Sequence, residues 1–270
     1  MEKFSVSYSS LETYKSCPRK YFYNYILKLK KGEEKPWFVF GNFNHLILEK
    51  FFRYVLFFKK RNRDYDRKNL MYRAFDSATK KYNRFYEQGI LPKLTSGQLD
   101  ETRKILKLFF EKIDKNFPDV LFVEKEFYID LDENIVIHGY IDRVDNVVKD
   151  VVIRVVDYKT SKKSYGIEDG IQLDIYAIGM KKVLGDHFKI YKQLDFIKLG
   201  EETDPNFEHS SDREKMVLEK VLKEAREIKS KIDNGDKEDV EAWEPIENKF
   251  CWACDFKETC LRDRGMSLYD

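Results

Sequence analysis

Cysteine is scarce in this chain, and long apolar runs are missing. Only four cysteines occur in 270 residues, with none between positions 18 and 250. In a chain of this length without a secretion signal, that pattern argues against a disulfide framework. No apolar stretch is long enough to span a bilayer. The opening residues, Met1-Glu2-Lys3-Phe4-Ser5, have no apolar signal core. A soluble intracellular protein, cytoplasmic and with no membrane partner, is therefore expected. An excess of one charge is also lacking: 50 basic residues face 48 acidic ones, a net charge of +2. Any attraction to a polyanion must come from how charge is distributed, not from its total. There is no internal repeat and no low-complexity segment. What is present is material for a core, 42% hydrophobic and 15% aromatic. That suffices for one large domain, with room for a helical insert.

The most informative stretch is Val155-Val156-Asp157-Tyr158-Lys159. A run of β-formers delivers a carboxylate and, two residues on, an ammonium. In an extended strand those two side chains share a face. The pair is either a surface salt bridge of small consequence or the start of a site. Gly139-Tyr140-Ile141-Asp142 favours a site, because it ends another β-rich run just upstream. Ile135 to Val144 and Val151 to Tyr158 read as strands, with a polar turn over Asn146 to Asp150. A turn centred on Val148-Lys149 places Asp157 opposite Tyr140. Asp142 and Asp157 then lie on one face, within reach of one divalent ion. A slip of one residue separates them.

Around these strands the pattern predicts helices. A first helix is capped by Ser9 or Ser10 and is interrupted or restarted at Pro18. Lys28 to Pro36 reads as a charged connection. Helices follow over Phe40 to Phe58, Asn69 to Tyr86 and Ser96 to Phe117, then strands from Leu121 to Val156. Gly166 to Leu184 returns to helix, Phe188 to Leu199 to strand, and Ser211 to Ile232 to a long helix with an apolar stripe.

Other residues gather around the candidate hairpin. His45, in Gly41-Asn42-Phe43-Asn44-His45, is either a helix histidine beside Glu49 at i+4 or a ligand suited to a transition ion such as Mn²⁺. Gln172 and Tyr176 share a helix face. They offer an amide and a phenol to a phosphate or base, or simply mark a core edge. Glu126 closes a strand-like segment and is either a supporting carboxylate or, as is usual for a charged strand residue, solvated. Basic residues interleave with aromatic ones in two places. Lys15, Arg19 and Lys20 lie near Tyr14, Tyr21 and Tyr23, and Lys59, Lys60, Arg61 and Arg63 form a second group. Each reads either as a solvated helix face or as a track for single-stranded nucleic acid.

The cysteines form their own constellation. Cys251 and Cys254 are separated by two residues, Cys260 follows closely, and Cys17 stands at the other end. Four thiolates can hold zinc or an iron–sulfur cluster, and spacing does not decide between them. Either would clasp the two ends of the chain.

In order along the chain, these motifs resemble the RecB-like branch of the PD-(D/E)XK nuclease superfamily. The resemblance is to its iron–sulfur members, namely AddB-type nuclease domains and the nucleases of CRISPR spacer acquisition. It runs from Ser7-Tyr8-Ser9-Ser10-Leu11-Glu12-Thr13-Tyr14 and Cys17-Pro18-Arg19-Lys20-Tyr21-Phe22 through Gly41 to His45, Gly139 to Asp142, Asp157-Tyr158-Lys159 and Gln172 to Tyr176. It ends at Cys251, Cys254 and Cys260. Ile141, not proline, precedes the first acidic residue. The resemblance implies an α/β fold with a restriction-endonuclease-like core, a small mixed central sheet flanked by helices. To this it adds a helical insert and a cysteine clasp joining the N- and C-terminal regions. Residues 1–270 form one nuclease domain, with a helical region over 40–117, a nuclease core over 120–200, and a clasp from 1–30 plus 243–265.

The same resemblance implies that His45, Asp142, Asp157 and the Tyr158 carbonyl ligate Mn²⁺ or Mg²⁺. Lys159 is the catalytic lysine, acting with Asp142 and Asp157. Gln172 and Tyr176 position the substrate, and Cys17, Cys251, Cys254 and Cys260 hold a [4Fe–4S] cluster in preference to zinc. The implied activity is metal-dependent DNA exonuclease action on single strands or ends, in a prokaryotic or viral setting. The alternatives are a structure-specific endonuclease and a non-catalytic DNA-binding subunit of a repair or spacer-acquisition complex. No Walker A sequence is present, so a helicase partner would be a separate chain.

Overall fold

The computed structural model describes residues 3–29, 35–235 and 238–266. Most of the charged connection expected between Lys28 and Pro36 lies outside these residues, as do Met1 and Glu2. The elements run β1 (Phe4–Val6), α1 (Tyr8–Ser16), α2 (Pro18–Tyr21), α3 (Pro36–Lys59), α4 (Arg67–Glu87), α5 (Ser96–Lys115) and β2 (Asp119–Asp130). They continue with β3 (Ile135–Val148), β4 (Val152–Lys159), α6 (Gln172–Leu184), β5 (Lys189–Phe196), β6 (Glu201–Glu202), α7 (Ser211–Asp233) and α8 (Lys257–Asp263). This is the expected mixed α/β class, with a central mixed sheet flanked by helices. No helix among the described residues is long and apolar enough to cross a membrane.

By contacts the chain divides into two compact units. One comprises Met1–Glu33, Tyr128–Gly139 and Lys215–Asp270, the other Glu34–Phe127 and Tyr140–Glu214.

In the second unit, three helices start where their caps predict. Asp66 accepts from the backbone N–H groups of Lys68 and Asn69, and Thr95 with Gln98 forms a capping box. Pro36 stands in the first turn of α3. Phe43, Ile47, Phe51 and Val55 recur at every fourth residue of α3 and are almost fully buried. They pack with Ala74 and Ala78 of α4 and Phe109 of α5 against Val156 and Tyr158 of β4. Those helices thus cover one face of β4, and α6 also packs on β4 and β5. Parallel pairing of β4 with β5 sets Asp157 beside Leu194 and Lys159 beside Phe196.

The β3–β4 hairpin corrects the expected register. Arg143 pairs with Val156 and Asp145 with Arg154, and the ladder shifts between Asn146 and Val148. Strand β3 runs on to Val148, and the turn moves to Lys149-Asp150, where Asp150 takes a left-handed φ of 59°. Relative to the expected pairing, the strands are offset by two residues. An even offset preserves side-chain parity, so Asp142 and Asp157 stay on one face.

Helix α6 is buried from Leu173 to Met180. Gly179 makes this possible. A Cβ there would stand 2.5 Å from Phe127 Cγ, inside van der Waals contact with a buried ring. Gly179→Ala should therefore destabilise by about 1–2 kcal/mol, since overpacking outweighs the better helix propensity of alanine. A urea midpoint equal to or above wild type would contradict this close packing.

The first unit is built on aromatic packing. Trp243 is fully buried, stacked on Tyr21 and Phe22 at 5.8 and 5.5 Å and edge-on to Tyr14 at 6.2 Å. Arg19 is 1% exposed and donates through Nε to the Trp243 carbonyl at 2.7 Å. Tyr23 donates to Asp263 Oδ2 at 2.8 Å and Tyr14 to Glu227 Oε1 at 2.6 Å. Burial pushes the Tyr21 phenol up to about 12. This overturns the nucleic-acid reading of the first basic–aromatic group, because Arg19, Tyr14, Tyr21 and Tyr23 are interior supports. Here also β1, which sequence patterning missed, pairs in parallel with the start of β3, Phe4 beside Ile135.

Candidate active site

All groups of the candidate site lie in the second unit. At the end of β4, the parity of a strand delivers Asp157 and Lys159 to one side, as predicted. Asp157 is 3% exposed. Lys159 Nζ lies 2.6 Å from Asp157 Oδ2, an ion-pair distance. Beyond that ammonium, the buried oxygen has no hydrogen-bond partner among the described residues. Burial, reinforced by the charge of Asp142, pushes the Asp157 carboxyl up to about 6, with Lys159 opposing.

Lys159 also donates to Gln172 Oε1 at 2.8 Å, and Gln172 Nε2 donates to the Tyr176 hydroxyl at 2.9 Å. The first turn of α6 therefore locks the ammonium through an amide whose two ends are both used. Burial works against the Lys159 cation, but the Asp157 carboxylate outweighs it and holds the pKa above the ordinary lysine value. Burial also lifts the Tyr176 phenol well above its usual range, helped by Asp157 and Asp142. It remains a neutral O–H, and its oxygen accepts from Gln172.

Asp142 sits where the hairpin ladder ends. Its Oδ2 accepts from the backbone N–H of Tyr158 at 2.8 Å, which fixes the carboxylate beside Asp157. His45 Nδ1 approaches the same oxygen at 3.5 Å, and its ring meets Tyr158 edge-on at 5.9 Å. Burial opposes the imidazolium, yet the Asp142 charge prevails and raises His45 to about 9. Here the imidazolium acts as counter-ion to the carboxylates. A metal ion would compete with that proton.

One residue escaped sequence reading. Glu124 lines a cavity of about 600 Å³ with His45, Glu49 and Asp142. Burial pushes its carboxyl up to about 7, with Asp142 and Glu49 adding to the shift. Strand alternation would treat positions 124 and 126 alike. Glu124, however, adopts a left-handed backbone with φ of 49°, and the two diverge. Glu126 is exposed and accepts from the Tyr140 hydroxyl at 2.6 Å. Glu124, not Glu126, thus lines the cavity with Asp142, and no sequence signal marks its left-handed backbone.

A second cavity of about 550 Å³ is lined by Trp37, His45, Asp142, Asp157, Lys159, Gln172 and Tyr176, among others. The sequence-predicted site residues outside the cysteines therefore meet around one space, with Tyr158 in its wall. Among the described residues, no three His, Cys, Asp or Glu side chains already form a metal-binding group. The donor set still suits a divalent ion. It combines carboxylate oxygens and one imidazole, and the buried Asp157 Oδ2 has no hydrogen-bond partner beyond the Lys159 ammonium among the described residues.

The four cysteines lie in the first unit. Cys17, Cys251, Cys254 and Cys260 line one cavity of about 290 Å³ together with Lys20 and Tyr23. Cys17 is the junction of α1 and α2, and Cys251 Sγ receives the Asn248 N–H at 3.4 Å. Burial pushes the Cys254 and Cys260 thiols up, with Cys17 adding to both. The remaining basic group, Lys59 to Arg63, stays exposed at the end of α3, with Lys59 paired to Asp119. It stands about 20 Å along the helix from His45.

Comparison with known proteins places these observations. A family model of the PD-(D/E)XK nuclease superfamily matches residues 5–261. An ATP-dependent helicase/deoxyribonuclease subunit of Clostridium botulinum (strain Loch Maree / Type A3) is 29% identical over 261 residues. That match covers 85% of this chain and 22% of the relative, so the chain spans about a fifth of the relative's length. A crystal structure from Eubacterium rectale, named as a candidate exonuclease, superposes with a TM-score of 0.52 at 12% identity. It covers 93% of this chain and 86% of its own, a likeness of fold.

Proposed function

The chain belongs to the PD-(D/E)XK nuclease superfamily, and on that footing we propose that it is a divalent-metal-dependent deoxyribonuclease cutting phosphodiester bonds as an exonuclease at single strands or DNA ends. The observation that carries this reading is the convergence of Asp142, Asp157, Lys159, Gln172 and Tyr176 on one cavity. His45, Asp142, Asp157 and the Tyr158 carbonyl are the groups that would hold Mn²⁺ or Mg²⁺. When bound, the ion supplies charge neutralisation of the phosphodiester and a nucleophile at neutral pH. The protein's own part is positional and electrostatic. Lys159, fixed by Gln172, presents a permanent positive charge to the phosphate oxygens. The neutral Tyr176 hydroxyl offers a hydrogen bond to the same group. The Tyr158 N–H keeps Asp142 from rotating away.

The test is a nuclease assay with Mn²⁺ or Mg²⁺ on end-labelled linear and closed circular DNA, single- and double-stranded. Cutting confined to linear substrates supports the exonuclease; cutting of closed circles means an endonuclease. No cutting with either ion overturns the reading. Chelation should stop cutting, and restoring Mn²⁺ should return it, because these carboxylates belong to the fold whether or not the ion is present. The Clostridium botulinum relative is named as part of a helicase/deoxyribonuclease. A helicase is the partner proposed here; the 270 residues themselves contain no Walker A motif.

For the cysteines we propose a structural [4Fe–4S] cluster rather than zinc, supported by four thiols lining one cavity. A brown anaerobic preparation with iron–sulfur absorbance is expected. A colourless, zinc-loaded one would transfer the site to zinc.

A further inference from the structure

The two cavities beside Asp142 are not independent. They share Trp37, His45, Asp142 and Thr160. Trp37, Gly41 and His45 stand at i, i+4 and i+8 of α3, one stripe of the helix. Gly41 lets that stripe approach the end of β4, since a Cβ there would be 3.2 Å from Thr160 Oγ1. The stripe thus carries Trp37 to the rim of the candidate site, about 12 Å along the helix from His45. Trp37 is 58% exposed and its neighbour Phe38 56%. Of the two cavities that Trp37 lines, one also holds Lys159, Gln172 and Tyr176, and the other holds Phe38, Phe85 and Lys81. The carboxylates Glu49, Glu124, Asp142 and Asp157 also line these spaces, so phosphate attraction alone gives a strand little affinity here. A sequence-tolerant contact to the bases would supply what charge does not.

We propose that Trp37, which borders both cavities, is a base-stacking platform and that the strand it receives is single-stranded DNA. This rests on the nuclease reading and deepens it. A base in a duplex is already stacked on both faces, so only an unpaired nucleotide gains from the indole. The Trp37 contribution should also be nearly independent of salt, unlike contacts to phosphate.

The test separates this inference from the nuclease reading. Binding of a dT oligonucleotide is followed by tryptophan fluorescence without divalent ions, so that nothing is cut. Wild-type protein should show quenching, and most of it should vanish in Trp37→Phe, because Trp243 and Trp252 line neither cavity. Trp37→Ala should weaken binding about tenfold or more, with Trp37→Phe in between. In wild type, an abasic nucleotide next to the cleavage position should cost a similar factor in KM; in Trp37→Ala it should cost nothing. Tight binding and cleavage unchanged in Trp37→Ala, with the abasic penalty retained, would overturn the stacking platform and leave the nuclease standing. No binding to any DNA would remove both. The abasic penalty in the wild-type chain does not depend on how the variants fold, and its absence there would by itself overturn the stacking platform.

Discussion

Asp157→Ala and Lys159→Ala should each lower single-turnover cleavage about 10³-fold or more, while DNA binding and the fold survive. The two variants fail for different reasons. Asp157 is a buried carboxylate whose Oδ2 faces the Lys159 ammonium, beside a second carboxylate that helps raise its pKa to about 6. Its raised pKa means that the folded site disfavours this carboxylate's charge despite Lys159, and a bound divalent ion would relieve that. Removing the carboxylate should leave thermal stability unchanged or higher, the usual exchange at a functional site. Lys159 is held by Asp157 and Gln172, so its loss costs a fixed positive charge and two contacts. The double variant should be little worse than either single one, because groups acting as a unit are not additive. Circular dichroism and oligonucleotide binding check the fold. Wild-type cutting rates in either variant would sink the assignment.

The parts of this site visible in the sequence are those that depend on period alone. Asp157 and Lys159 needed only strand parity. Asp142 joined them despite a two-residue error in register, because an even slip keeps every side chain on its face. Gln172 and Tyr176 needed only helix spacing. His45 was ambiguous as an isolated helix histidine, and its meaning comes from a non-local carboxylate 3.5 Å away. Glu124 was hidden because a single left-handed residue breaks the alternation, and that backbone state leaves no mark in residue type. The first basic–aromatic group misled for a related reason. A window of Arg and Tyr looks the same whether its side chains face water or Trp243, and only packing decides. Helices α3, α4, α5 and α7 were legible within a few residues because their apolar stripes are long. The three-residue β1 is too short to carry a pattern.

Asp174→Ala should destabilise the protein by about 3–5 kcal/mol, a larger effect than any surface change. Asp174 and Lys192 are both fully buried, with Oδ1 and Nζ 2.5 Å apart. Arg213 Nε adds a contact to Oδ2 at 2.6 Å, and His209 Nδ1 lies 3.3 Å from Oδ1. Removing the carboxylate strands a lysine ammonium where no water reaches it. Burial opposes the Asp174 carboxylate, but His209, Lys192 and Arg213 prevail and hold its pKa down at about 2. A folded pKa below the unfolded one means that this stability is present above about pH 4. It is lost as pH falls through about 2. Urea unfolding at pH 7 checks the magnitude, and Lys192→Met in the Asp174→Leu background should recover much of it, because an apolar pair needs no counter-charge. A loss below about 0.5 kcal/mol in Asp174→Ala would mean that Lys192 finds another partner. The consequence reaches the chemistry. Asp174 lies two residues from Gln172, in the turn of α6 that fixes Lys159. Even a folded Asp174 variant should therefore cut more slowly than its stability explains, with kcat falling and oligonucleotide affinity retained. The same network that tolerates two buried charges would then be what keeps Lys159 in register with Asp157.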